Sequence, residues 1–128
     1  MKLLLDSHAL LWFALNDPQL SATANAAILD PANGVYVSPA TYWELAIKVS
    51  IGKLTVQQPF EKFLDACEQR FQLLPINAAH ALQVAKLPFP PRHRDPFDRL
   101  LIAQAMLEQM TVISNDSAFD AYSVPRIW

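Results

Sequence analysis

Four acids stand apart from the other carboxylates of this chain by where they fall: Asp6, Glu44, Asp98 and Asp116. Asp6 directly follows the apolar run Leu3-Leu4-Leu5, and Asp116 closely follows Thr111-Val112-Ile113-Ser114. Asp98 lies within Asp95-Pro96-Phe97-Asp98-Arg99. Glu44 shares a narrow polar stripe with Thr41 and Lys48 among Tyr42, Trp43, Leu45, Ala46, Ile47 and Val49. Each acid has a local explanation. Asp6 and Asp116 stand where aspartate caps a helix. Asp95, Pro96 and Asp98 read as an N-cap, a proline at the first helical position and an acid at the third. Glu44 and Lys48 are in the favourable order for an (i, i+4) ion pair, worth about 0.2–0.5 kcal/mol when exposed. Local chemistry does not explain convergence. Several carboxylates in one cleft repel each other unless a cation compensates, so a shared location predicts a metal site, and all-oxygen ligation favours Mg²⁺ or Mn²⁺ over zinc.

The elements predicted around these acids supply that location. Lys2 to Leu5, Val35 to Val37 and Thr111 to Ser114 read as short buried strands. Helices are predicted over His8 to Leu15, from the N-cap Ser21 to Leu29, from Pro39 to about Ile51, over Phe60 to Phe71, over Ala78 to Lys86 and over Asp95 to Gln109. Leu73 to Ile76 is a possible short extended piece, a short helix begins at Asp116 or Ser117, and Arg126 to Trp128 is a candidate edge strand. Strands alternating with helices predict a parallel sheet covered on both faces, with ligands gathering at the strands' carboxyl ends. In helical register Asp98 stacks over Leu101, Ile102 and Ala105, away from a polar side marked by Gln104 and Glu108, which aims its carboxylate at the rim of the core.

Composition narrows the chemistry further. The 128 residues, 52% of them hydrophobic, predict one domain over residues 1–128. A charged fraction of 17% is low and predicts apolar surface buried against a partner. The net charge of −2 provides no general basic field, so nucleic acid would have to be held locally or through metal. Cys67 is the only cysteine, which excludes an internal disulfide and a cysteine zinc site and fits a reducing cytoplasm. Two glycines, Gly34 and Gly52, exclude a phosphate-binding loop and a dinucleotide fingerprint. The start MKLLLD is too short an apolar run for a signal peptide or a membrane span.

The order of the acids, with Asp98 and Asp116 eighteen residues apart, resembles that of PIN-domain nucleases over the whole chain. Among them the chain is most similar to VapC-type toxins of bacterial toxin–antitoxin pairs, through LLLDSHALLW, VSPATYWELAIKVSIGKL, DPFDRLLIAQA and the terminal SVPRIW. The resemblance implies an α/β, PIN-like three-layer domain with a central, mostly parallel sheet flanked by helices. It implies a Mg²⁺-dependent endoribonuclease, usually a homodimer, silenced by a cognate antitoxin that covers the active site. By motif, Asp6 and Asp98 would be the principal metal ligands, Asp116 would complete the site directly or through water, and Glu44 would orient water or a second ion. The spacing to Asp116 favours Asp98 over Asp95, which is left as the helix cap. Ser7 departs from the threonine of many relatives but keeps the hydroxyl.

Other residues offer further candidates. Arg92, Arg94 and Arg99 have the guanidinium chemistry for phosphate contacts, with ion pairing as the ordinary alternative. Among the histidines, His8 and His80 read as structural, and His93 is the candidate for touching RNA. Trp12, Phe13 and Trp43 fall at helical spacing in apolar runs and are expected in the core or a subunit interface. Two alternatives to a nuclease are a receiver-like signalling module and a catalytically silent PIN-like binding protein. The first lacks its adjacent acid pair after the first strand and its lysine after a late one, and the intact acids argue against the second.

Overall fold

In the computed structural model, which describes residues 1–91 and 93–128, a five-stranded sheet carries the rest of the chain. Arg92 lies outside the described residues. Strands β1 (Lys2–Leu5), β2 (Gly34–Val37), β3 (Gln72–Leu73), β4 (Thr111–Ile113) and β5 (Arg126–Ile127) run in the order β3-β2-β1-β4-β5, every neighbouring pair parallel. The sheet is thus parallel throughout. Leu3, Leu4 and Leu5 of the central strand are all fully buried, as a strand covered on both faces requires.

Alternation along β1 divides the core in two. Leu3 and Leu5 point into one cluster with Val35 and Val37 of β2. Covering this face are Leu10 of α1 (Ser7–Ala14), Ile28 of α2 (Ala22–Leu29), Leu45 of α3 (Pro39–Ser50) and Phe63 of α4 (Phe60–Arg70). Leu4 points the other way, into a cluster with Val112, Phe119 and Tyr122. That face is covered by Leu101 and Ile102 of α6 (Pro96–Glu108), with Val84 of α5 (Ala78–Lys86) packed against it. Each of these large side chains contributes roughly 1.5–3 kcal/mol by leaving water.

Local chemistry sets the element ends. Ser21 and Ser38 cap α2 and α3, accepting from the N–H of Ala24 at 3.0 Å and of Ala40 at 3.2 Å. Helix α3 ends in a Schellman turn: Gly52 adopts φ +75°, its N–H donates to the carbonyl of Val49, and Lys53 donates to Lys48. The extended piece expected at Leu73 to Ile76 is instead Gln72–Leu73, with the N–H of Leu74 still donating to the Val37 carbonyl at 2.9 Å. The tail forms the edge strand as Arg126–Ile127. A 3₁₀ helix, Ser117–Ala121, joins β4 to β5.

One expectation about α6 fails. Gln104, expected on a polar face, is fully buried, because α5 packs along this side of α6. Its amide donates to the carbonyls of Leu74 and Pro75 at 3.4 and 3.3 Å. Among the described residues, no helix is long and apolar enough to cross a membrane.

Candidate active site

The order in which strands are added reverses at β1, since β2 and β3 extend the sheet to one side and β4 and β5 to the other. A crevice at the carboxyl ends of β1 and β4 is the ordinary ligand position in such a sheet. Asp6 leaves β1 there, and Ser114 and Asp116 leave β4.

Asp6 is 4% exposed and caps α1, its Oδ1 accepting from the N–H of Ala9 at 2.8 Å. Burial pushes its carboxyl above the ordinary value, with a further push from Glu44, while hydrogen bonds from Ser114 and Ala9 and the charge of His8 pull it down. The Ser114 hydroxyl, fully buried, also accepts from the N–H of Asp116 at 3.0 Å, so this side chain lies between the ends of β1 and β4. Asp116 caps the 3₁₀ helix through a 2.9 Å bond from the N–H of Ala118. Capping and a role in the crevice are compatible, because each carboxylate uses one oxygen for the cap.

Helix α6 delivers Asp98. Asp95 accepts from the N–H groups of Phe97 at 2.9 Å and Asp98 at 3.0 Å, the geometry of an N-cap, and Pro96 occupies the first turn. Asp98 then projects from the first turn with its side chain 21% exposed. Burial pushes its carboxyl up to about 7, with repulsion from Asp95 and Asp6 adding to the rise and the hydrogen bond and charge of His93 opposing it. Ligand atoms of Asp98, Asp116 and His93 lie within 4.8 Å of one another, the one such group among the described residues.

Asp6 and Glu44 stand beside this trio rather than within it. Asp6 reaches it electrostatically and through Ser114. Glu44 is 14% exposed at its side chain and pairs with Lys48 at 3.2 Å, so the expected ion pair forms, though in a half-buried setting rather than on a solvated face. One turn before Glu44, the buried hydroxyl of Thr41 has no hydrogen-bond partner among the described residues. Clustered acids that raise one another's protonation fit a hard divalent cation.

The three residues expected to contact RNA separate. Arg94 is exposed, with its guanidinium 5.6 Å from the Phe89 ring centroid. Arg99 is 4% exposed, and its guanidinium donates to Pro88 O at 2.7 Å, Tyr122 Oη at 3.1 Å and Val84 O at 3.4 Å. His93 is 5% exposed, between Tyr122 Oη at 2.8 Å and Asp98 Oδ2 at 3.2 Å. Both side chains are therefore buried, His93 against Phe119 and Tyr122 and Arg99 between Pro88 and Tyr122. Of the aromatics, Trp12 stacks on His8 and meets Trp128, Phe13 meets Phe71, and Trp43 is 63% exposed against the edge of Phe97. Ser114 and Tyr122 escaped the sequence reading. A hydroxyl at a strand's carboxyl end beside an acid was a usable signal for Ser114, whereas nothing near Tyr122 in the chain points to this crevice.

Comparison with known proteins agrees with the architecture. A match to the PIN domain family spans residues 3–125. The chain is 27% identical over 125 residues to Ribonuclease VapC22 of Mycobacterium tuberculosis, covering 96% of this chain and 93% of that protein. Among solved structures, it resembles VapBC2 from Rickettsia felis bound to a promoter DNA fragment (TM-score 0.73, 16% identity, 99% of this chain and 98% of that one). It also resembles FitAcB from Neisseria gonorrhoeae (TM-score 0.70, 21% identity, 98% and 96%). At these identities the structural likeness speaks for the fold.

Proposed function

The chain belongs to the PIN-domain family, and from that premise we propose that residues 1–128 form a single nuclease domain that cleaves RNA internally with a divalent cation, Mg²⁺ or Mn²⁺, as the toxin of a toxin–antitoxin pair. The observation that carries the reading is the acid group at the carboxyl ends of β1 and β4: Asp98 and Asp116 side by side, with Asp6 and Glu44 adjoining. Asp6, Asp98 and Asp116 are the metal ligands in this reading, and Glu44 orients the attacking water. When bound, the cation supplies positive charge that polarises the scissile phosphate and stabilises the departing oxygen. Asp6 and Asp116 hold their carboxylates by capping, and the parallel ladder of β1 and β4 keeps the two strand ends in register. In this reading exposed Arg94 is the side chain that meets a neighbouring phosphate.

The name of VapC22 and the toxin–antitoxin complexes among the structural neighbours support the toxin role and a cognate antitoxin as partner, and the same reading puts the protein in the cytoplasm. Exposed Trp43, Ile51, Leu82 and Phe89 are apolar surface of the kind a homodimer or an antitoxin would cover. The receiver-like alternative is set aside by topology, because this sheet is ordered 3-2-1-4-5 and the flavodoxin-like receiver order is 2-1-3-4-5. Purified protein free of antitoxin should cleave RNA with Mg²⁺ or Mn²⁺ and stop with EDTA or on Asp6→Asn. Full cleavage in EDTA would sink the metal mechanism, and a folded, metal-binding protein inactive on every RNA would establish a silent binding protein instead.

A further inference from the structure

Resting on that metal-dependent reading, we propose that His93 is a positioning residue for Asp98, oriented by Tyr122 and Arg99 so that it meets the carboxylate as a hydrogen-bond donor. The argument is a count of hydrogens. Arg99 has only donors, so its 3.1 Å contact with Tyr122 makes the phenolic oxygen the acceptor. The Tyr122 hydroxyl retains its own proton, and His93 Nδ1 lies 2.8 Å away to receive it. An imidazole that accepts at Nδ1 carries its proton on Nε2, and Nε2 lies 3.2 Å from Asp98 Oδ2. Donation therefore runs in one direction, from Arg99 through Tyr122 and His93 to Asp98.

The start of this chain is firmly held. Arg99, Tyr122 and His93 are all buried, and the Arg99 guanidinium is further bound by the carbonyls of Pro88 and Val84 and lies 3.8 Å from the Phe89 ring centroid. With Oδ2 engaged by His93, Asp98 keeps Oδ1 for a cation. The competing role for His93 is a nitrogen ligand, since it belongs to the 4.8 Å group. That role puts the imidazole proton on Nδ1, pointing at an oxygen already receiving Arg99, and strands the Tyr122 proton without an acceptor among the described contacts. The donor role satisfies every member. Groups that orient a metal-binding carboxylate from behind typically change metal affinity by about 10–100-fold when removed.

Two measurements on the full chain decide this. Nitrogen NMR of the metal-free protein should find His93 in the Nε2–H form, and the Nδ1–H form would overturn the proposal. Titration with Mn²⁺, followed by the EPR signal of free Mn²⁺, should show His93→Ala weakened about 10–100-fold. His93→Gln, which returns an N–H near the Nε2 position, should recover most of that loss, Tyr122→Phe should show part of it, and the control His80→Gln none. Unchanged affinity in a folded His93→Ala protein refutes positioning, and equal loss in the Ala and Gln variants makes His93 a direct ligand and refutes it too. Should His93→Ala fail to fold, the tautomer and Tyr122→Phe decide. Wild-type protein that binds neither Mn²⁺ nor Mg²⁺ refutes the metal-dependent reading instead, and the tautomer alone then judges the relay.

Discussion

Helix α6 carries an imidazole–carboxylate pair at each end, and the two pairs use the same chemistry for different ends. At its C-terminal end, buried His80 accepts the N–H of Asn77 at Nδ1 (3.2 Å) and meets Glu108 Oε1 through Nε2 at 2.9 Å. At its N-terminal end, buried His93 faces Tyr122 through Nδ1 and Asp98 through Nε2. In both, a donor at Nδ1 leaves the Nε2 proton for a carboxylate. The surroundings differ. Glu108 is 36% exposed, apart from other acids that could share a cation, and the His80 pair completes the capping box that starts α5 and ties α5 to α6. Asp98 stands within reach of Asp6, Asp95 and Asp116, where like charges accumulate. A histidine–carboxylate contact is thus not in itself a sign of function, and the electrostatic company of the carboxylate separates a brace from a site.

The sharpest way to break this distinction is to neutralise each carboxylate. Asp98→Asn should lower RNA cleavage by about 10²–10³-fold or more, by loss of a charged ligand at the reacting phosphate. Glu108→Gln should leave cleavage within about twofold, since it lies outside the charge cluster. Equal losses measured in one steady-state assay would erase the difference between the two ends of α6.

Acidity provides a second, smaller contrast. The Asp98 carboxyl, pushed to about 7, must release its proton to take a cation, so Mn²⁺ affinity should fall by up to about tenfold per pH unit below 7. In the metal-free protein the stability effect has the opposite sign. A raised carboxyl is stabilising in its protonated form, so this contribution is full below the ordinary value of 3.8 and is lost as pH rises through about 7. Asp120 behaves conversely: its bond with Arg126 lowers it, and its contribution, present above the ordinary value, is lost as pH falls through the lowered one. Urea unfolding of wild type and Asp98→Asn from pH 4 to 8 isolates the Asp98 part. Coincident pH profiles would show that Asp98 is not strained.

The smallest effect on activity is expected at the brace. His80→Ala should cost about 1–3 kcal/mol of stability, through the lost cap and the lost buried contact, while cleavage per folded molecule stays unchanged. Lost Mn²⁺ binding in that variant would make His80 part of the site and collapse the comparison.

Much of the fold was legible because its signals are local. The Leu3-Leu4-Leu5 run, the serines that cap α2 and α3, and Asp95-Pro96 at the start of α6 each act within a few residues, so the element order could be read from the chain. Asp98 was separable from Asp95 for the same reason, since helical register is a short-range property. The burial of Gln104, Arg99 and His93 was not legible. Polar side chains are expected at the surface, and only distant partners, the carbonyls after β3 for the Gln104 amide nitrogen, the Pro88 and Val84 carbonyls and the Tyr122 hydroxyl, offset their burial, with Gln104 Oε1 left without a partner among the described residues.

By itself, the sequence determined which residues make helices and strands and which acids leave strand ends, because capping, periodicity and proline geometry depend on near neighbours. Only the tertiary structure decided that Asp98 and Asp116 lie side by side, that Ser114 lies between Asp6 and Asp116, and that Arg99 and Tyr122 orient His93 behind Asp98. These relations join segments eighteen or more residues apart, so they depend on strand order and helix packing rather than on spacing along the chain.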